Sequence, residues 1–567
     1  MRIACGPIIS FMLLAPLAIA AASCTGVDAP AIDLTNQSSI GDAGSTDAGA
    51  AAFSFDMGTT PLRILDGAST PIPVAITRSG SSPADVQITL KDAPSGVTTG
   101  GSLTIPSTES SGELTITIAD SVSQGPISIT LEGHAVNDGV LVSADVQLVV
   151  AGLPGTLDTS FAQGGRLTDL IGRMLNPIAA LVSSDDHIYV PGSCPSSSDI
   201  NILSTCIARL NPNGELDITY GNSGLATLDT LTPNDAVVLS DGRTVVGGTA
   251  NNVDTYDGAA HDMGAYGTFD ATGKNSKMTI LSTAAAFVGT TTNSVSQTSL
   301  APNDSVVMFF PAIATDGSGN DVNGIAKIKN TGTLDTTFGN GGFVNGDLAD
   351  YHSGEADAVP LSVAGAGVYP NGNVVIMGGG FKAEGEDGAP PFDEYFGFLQ
   401  LDSSGAHDAS FGTNGQTAFE GPAVGGSAVW GFRQSPLTLL PDGRILWVKP
   451  GGANSGTAIL AFTADGTSLD DTFGGGGFLD PHNTGVLAQA YVFLDDQSRL
   501  LVTSCTTPRV KQDLLSRYTS DGVLDPSFGE DGQVSTTSDG CPWSAHVQSD
   551  GRIVVVTDAG TVLRYWN

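Results

Sequence analysis

Seven histidines, at positions 134, 187, 261, 352, 407, 482 and 546, are the first residues to test for chemistry. No two stand at metal-ligand spacing on one element, and no His-Glu-x-x-His run occurs. Neither a Gly-x-Ser-x-Gly elbow nor a glycine-rich phosphate loop sits between a strand and a helix pattern. Aspartate recurs at 158, 217, 335, 408, 470 and 525, always in the same kind of loop. One aspartate per loop, without Asp-x-Asp-x-Asp-Gly spacing, supplies too few oxygens for calcium, which takes six to eight. Capping of the turn by the side chain is the better account. A third set mixes aromatic rings with acids in irregular segments: Tyr256, Asp257, Tyr351, Glu355, Tyr395, Trp430, Phe432 and Trp543, with Asp262, Glu386, Asp387 and Glu394 nearby. Rings beside carboxylates suit a carbohydrate, a peptide or a cation. The plainer account is strand-edge packing by the rings and solubility from the charges. None of these sets implies a catalytic centre, a metal or a cofactor.

The charge balance narrows the partners. The 567 residues carry 22 Lys+Arg against 59 Asp+Glu, a formal net charge of -37. Such a surface repels phosphate backbones, which excludes nucleic acid, and it repels an anionic membrane unless a covalent anchor intervenes. Glycine is abundant at 73 residues, Thr, Ser, Val and Asp crowd the chain, and long amphipathic helical stretches are absent. That mixture predicts an all-β protein of short strands and tight turns.

At the N-terminus Arg2 precedes an apolar run from Ile8 to Ala22, too short for a comfortable membrane span, which fits a secretory signal over residues 1–23. Ala21-Ala22-Ser23-Cys24 resembles the lipobox of bacterial lipoproteins. The resemblance implies that Cys24 takes a diacylglycerol, the only membrane attachment of a protein exported to the outer membrane or cell surface. Secretion after cleavage near Ala22 is the alternative. Residues 24–52, rich in Ala, Gly, Ser, Thr and Asp, read as a flexible tether. Residues 53–152 read as about seven alternating strands, the pattern of an immunoglobulin-like β-sandwich without its disulfide, serving as a spacer.

Residues 153–567 repeat. Leu-Asp-x-x-aromatic-Gly-x-x-Gly occurs from Leu157, Leu216, Leu334, Leu469 and Leu524, with His407 opening a sixth copy. The aspartates at 158 and 217 lie 59 apart and those at 217 and 335 lie 118 apart, so a degenerate copy belongs near 276; GAYGTFDATGKNS (264–276) supplies it. Between these loops an apolar strand, an Asp-Gly or Asn-Gly turn and a second apolar strand recur, as in AVVLSDGRTVVGG (236–248) and LTLLPDGRILWV (437–448). Together the two motifs resemble the delta-60 repeat of large bacterial exported proteins. That resemblance implies a β-propeller and export, and it carries no catalytic or binding residues.

Each unit divides into four strands, A to D; in the first they are 178–183, 187–192, 206–211 and 224–228. The chain enters the array with a lone D strand (164–170) and leaves on a C strand (561–567). Joined, the two ends complete one unit, which predicts a closed seven-bladed β-propeller latched by its own ends. A–B and C–D connections then fall on one uniform end, and B–C and D–A connections, with the long insertions, on the other, irregular end. In an exported chain Cys194, Cys206, Cys505 and Cys541 read as disulfides Cys194–Cys206 and Cys505–Cys541, both on the irregular end. Variable loops on a rigid scaffold are where binding usually resides. The reading is therefore a non-catalytic recognition or adhesion module for an extracellular glycan, peptide or envelope protein. An envelope scaffold and a polysaccharide hydrolase or lyase using irregular-end carboxylates are the alternatives. Cells grown with a clickable fatty acid should label the protein, and Cys24→Ser should abolish the label; an unlabelled wild type cleaved elsewhere leaves plain secretion.

Overall fold

The computed structural model describes residues 53–567 except 59–60, 80–83, 137–140, 169, 171–173, 175, 196–202, 255–259, 282–289, 293, 315–320, 353–357, 384–391, 422–435, 450–456, 482–486 and 507–512. Among the described residues strand dominates, and the only helical turn is the short 3-10 segment Pro302–Asp304. No helix among them is long and apolar enough to cross a membrane.

Nine strands between Phe53 and Ala151 form two sheets around one apolar core. One sheet contains Ser69–Arg78 and Ser111–Ile118, whose apolar residues alternate inward (Ile72, Val74 and Ile76; Leu114, Ile116 and Ile118). The other is built on the long pair Gly125–Ala135 and Leu141–Ala151. Leu62–Leu65 joins Leu141–Ala151 in parallel, a pairing that simple hairpin reading does not anticipate.

The rest of the chain forms seven antiparallel sheets. Numbered by their A strands, sheet 1 runs from Asn176–Pro177 and Leu181–Val182 through Ile188–Pro195 and Leu203–Leu210 to Leu225–Leu228. Sheet 2 comprises Leu231–Val238, Thr244–Asp254, Ala260–Phe269 and Ser276–Ile280. Sheet 3 spans Thr290 to Asn345, sheet 4 Ser362 to Gly421, sheet 5 Thr438 to Leu479 and sheet 6 Leu487 to Ser535. In sheet 7, Pro542–Val547, Ile553–Thr557 and Val562–Tyr565 are completed by Arg166–Leu167. The middle strands are buried on both faces, as in Ile445–Lys449 and Ala458–Phe462, which is why they read as continuous apolar runs. The A–B turns close as expected: Gly242, Gly443 and Gly551 have φ of 81°, 93° and 85°.

A single sheet cannot cover its own two faces, so each must stack on neighbours. Seven apolar clusters lie between sheets, one for every consecutive pair. An open stack of seven would have six. The seventh joins Val554, Val556 and Val562 of sheet 7 to Ile188, Val190 and Ala208 of sheet 1. Sheet order is therefore cyclic, and the chain ends make the join. Arg166 pairs with Leu563 and Leu167 with Val562. Asp158 N–H donates to Arg564 C=O at 2.9 Å, the same bond that Asp217 makes to Arg209 at 2.9 Å. One crosses eight residues and the other 406, as the side-chain bonds of the same pairs show.

The sandwich docks on this join. Arg63 donates to the main-chain oxygen of Asn567 (3.0 Å) and stacks over Trp566 (5.2 Å), while Gln124 Oε1 accepts from Trp566 Nε1 (3.0 Å) and the Thr159 N–H (3.2 Å). Trp566 directly follows the C strand of sheet 7, so the sandwich occupies the uniform end.

The recurring aspartate explains that uniformity. In all six loops its Oδ1 accepts the N–H and, at 2.6 Å, the hydroxyl of the Ser or Thr two residues on: Ser160, Thr219, Thr337, Ser410, Thr472 and Ser527. At Asp158, Oδ2 takes Arg564 (2.8 Å) and Arg552 (2.9 Å), with Asp158 and Arg564 fully buried. Burial alone would raise the Asp158 carboxyl, but Arg564, Ser160 and Arg552 together hold it below the ordinary value. Asp158→Ala strands two buried cations and should cost roughly 3–5 kcal/mol in chemical denaturation. Asp335→Ala, which loses a half-buried cap, should cost about 1 kcal/mol. Because the folded Asp158 carboxyl is depressed, the advantage of wild type over Asp158→Asn should be complete above the ordinary carboxylate range, decline below it and be lost as the pH falls through the lower folded value. Equal losses for the two alanine variants contradict the closure.

Candidate functional site

The irregular end is braced by Cys505–Cys541, whose Cα atoms are 5.5 Å apart across 36 residues. Cys505 lies near the close of the B strand of sheet 6, and Cys541 immediately precedes the A strand of sheet 7. The second expected bridge requires correction. Cys194 and Cys206 are free, buried thiols. Register explains this: Cys194 faces Ser204 and Cys206 faces Gly192, so the cysteines are diagonal neighbours. Diagonal positions lie farther apart than directly opposed ones, and the two sulphurs meet in hydrogen-bond contact without bonding. Both thiols instead pack into the core between sheets 7 and 1. Contact between the two sulphurs holds Cys194 below and Cys206 above the ordinary thiol value.

Of the aromatic and acidic candidates, Tyr256, Asp257, Glu355, Trp430 and Phe432 lie outside the described residues, as do Cys24, Glu386 and Asp387. Tyr351 and Tyr395 come together, their ring centroids 4.6 Å apart, over a small core of Val359 and Leu361. His352 stacks on Tyr351 at 4.0 Å. It is exposed, on backbone with φ of 52°, in the left-handed region that histidine enters more readily than most residues. Trp543 belongs to a different group, between sheets 6 and 7. It is the extra residue of a bulge between Pro542 and Ser544 and stacks on Tyr491 at 6.1 Å.

Glu394, one of the acids noted in the irregular segments, is not available to a ligand. It is buried and paired with Lys449 of sheet 5 at 2.5 Å, directly behind Tyr395. Lys449 was visible in sequence only as a lysine ending an apolar strand, and its partner lies 55 residues away. Two other titratable groups lie on A strands. Burial pushes Asp235 up to about 6, although the Thr298 and Ala236 N–H groups donate to it. Burial pushes His546 down to about 4, its ring against Phe493. The Thr298 hydroxyl also approaches Asp235. Among the described residues no three His, Cys, Asp or Glu side chains form a metal-sized group. Among the described residues this end carries one aromatic cluster, in which exposed His352 and half-buried Tyr351 lie over the buried Tyr395.

No family model matches the chain. No curated protein matches it either. Among solved structures, Drosophila Semaphorin 2a is 9% identical, with 73% of this chain and 76% of that chain covered and a TM-score of 0.36. A GH93 alpha-L-arabinofuranosidase of Fusarium graminearum is 10% identical, with 61% and 92% covered and a TM-score of 0.32. A Hadza microbial sialidase is 9% identical, with 90% and 99% covered and a TM-score of 0.29. At these scores nothing that those proteins bind or cleave is carried over.

Non-reducing peptide mapping should find Cys505 linked to Cys541 and thiols at Cys194 and Cys206; a linked Cys194–Cys206 peptide contradicts the register. Cys505→Ser should destabilise by about 4 kcal/mol on the chain-entropy model for a loop of this length.

Proposed function

We propose that residues 153–567 are a seven-bladed β-propeller of the delta-60 type, carried by an immunoglobulin-like sandwich on a tether lipidated at Cys24. The propeller acts as a non-catalytic recognition or adhesion module of the cell envelope, and its irregular end is the binding surface. Seven sheets with seven shared cores support the propeller reading.

The observation that carries the function is the contrast between the two ends. At the uniform end the repeated carboxylates are taken up by capping and ion pairs, and the sandwich is docked there through Arg63 and Gln124. The irregular end points away from the sandwich and carries an aromatic cluster in which exposed His352 and half-buried Tyr351 cover the buried Tyr395. Flat rings held by packing bind the apolar face of a sugar or the side chain of a peptide at little entropic cost.

Arrays of bacterial and host glycans and of peptides, probed with the exported protein lacking residues 1–23, test this reading. The expected result is saturable binding that falls at least about tenfold in Tyr351→Ala with an unchanged melting curve. Absence of binding on every array, or binding that Tyr351→Ala leaves intact, rejects the site. Turnover of a bound polysaccharide rejects the non-catalytic assignment.

A further inference from the structure

At the uniform end, six of the seven junctions between consecutive sheets are plugged in one way. The aromatic residues of the Leu-Asp loops, Phe161, Tyr220, Phe338, Phe411, Phe473 and Phe528, are all buried. In five cases the ring lies against a glycine in the C–D turn of the next repeat: Gly214, Gly273, Gly405, Gly466 and Gly522. A Cβ added to Gly214 would come within 2.4 Å of the Phe161 ring, so the ring occupies the space that only a glycine leaves. The loop aspartate is met by an arginine of the A–B hairpin in three repeats, Arg444 on Asp470 (3.2 Å), Arg499 on Asp525 (3.8 Å) and Arg552 on Asp158 (2.9 Å).

The junction between sheets 2 and 3 lacks its plug. In sheet 1 the chain from Leu210 to Leu225 carries the Leu-Asp loop; in sheet 2 the C strand turns back at once, with Phe269 paired to Ser276. Aligning Gly273 with Gly214 puts Ser276 at the place of Asp217 and Thr268 at the place of Arg209. Aspartate and ring are both missing. The glycine that would receive the ring, Gly332, has only Thr268 atoms near its Cβ position, the closest at 3.2 Å. An open cavity of about 240 Å³ remains, with Leu239 and Val245 on its apolar wall and Arg243, Lys277 and Asn330 on its polar side. Arg243 stands at the hairpin position of Arg444 and Arg552 and, like Arg444, holds its own hairpin aspartate, Asp241, at 2.7 Å. Where those arginines reach a loop aspartate, Arg243 donates to the Asn330 carbonyl instead.

We propose that this cavity binds an acidic-aromatic turn of a partner protein, of the form Asp-x-Ser/Thr-aromatic-Gly, which replaces the missing loop. The ring seats over Gly332 against Leu239 and Val245, and the carboxylate meets Arg243, with Lys277 adding positive charge. A cavity of about 150 Å³ already holds a benzene ring, so the volume suffices. Asp270 also lines the cavity, but Thr272, Asn275 and the Lys274 N–H occupy its oxygens, so it does not oppose an incoming acid with a bare carboxylate. The occupant is external because the six loops of this chain each fill their own junction.

The probe is the acetylated, amidated nonapeptide LDTTFGNGG, the sequence of residues 334–342, labelled and titrated into the protein lacking residues 1–23. Anisotropy should saturate, and peptides with Asp→Asn or Phe→Ala should bind at least about tenfold more weakly. Thr268→Trp, which fills the ring seat from its wall, should abolish binding with an unchanged circular dichroism spectrum and melt. Arg243→Gln should weaken it by a similar factor. No saturation by about 1 mM peptide with folded protein overturns the site, as does undiminished binding by Thr268→Trp. Equal affinity for phenylpropionate overturns the peptide assignment in favour of a small aromatic acid.

Discussion

The pairing of Arg166–Leu167 with Val562–Tyr565 is the contact on which the rest of residues 153–567 depends. Stacked sheets bury their faces only against one another, and an array with ends leaves two faces wet. Here the last sheet borrows its outer strand and its Leu-Asp loop from the beginning of the array. Asp158 then finds Arg564 as Asp217 finds Arg209, and Phe161 finds Arg564 at 4.6 Å as Tyr220 finds Arg209 at 4.6 Å. The join reproduces an ordinary repeat although the chain is broken within it. Its Asp158–Arg564 pair is among the most deeply buried ionic contacts of the ring, and the sandwich covers it further through Arg63 and Gln124.

Closure also sorts the two ends by chemistry. At the uniform end each Leu-Asp loop spends its aspartate on its own Ser or Thr and on an arginine, a lysine or, at Asp408, the amides of Asn373 and Gln400, so the surface is repetitive and these polar groups are committed. Among the described residues the irregular end is held by a less regular set, including Cys505–Cys541, Glu394–Lys449 and Arg166–Asp539. The missing loop of sheet 2 is the exception at the uniform end. The same repetition that makes six junctions alike makes the seventh recognisable as vacant.

Much of this was legible in the residues, and what was not has a physical reason. The 59-residue spacing of Asp158 and Asp217, the doubled gap to Asp335 and the phase of the two ends predict seven units and their join. The structure adds the closed order of sheets that this phase requires. Capping by the aspartates followed from their lone placement, but the second partner of each, an arginine or lysine except at Asp408 where Asn373 and Gln400 serve, lies outside the loop motif. The Cys194–Cys206 bridge failed on a register difference of two residues, which strand patterns do not resolve because they conserve the face and not the partner. Glu394 looked like a loop acid until the fold brought Lys449 to it from the next sheet. The docking of Gln124 on Trp566 spans 442 residues and leaves no periodic trace.

Hydrogen exchange of the intact protein tests the central claim most directly. The Asp158, Arg564 and Trp566 amides, which donate to Arg564, Gly165 and Thr156 respectively, should exchange together, with protection matching that of Ile553–Thr557. If residues 156–167 exchange at once, like an unpaired tail, while Ile553–Thr557 stays protected, the ends do not meet and the closed ring is contradicted.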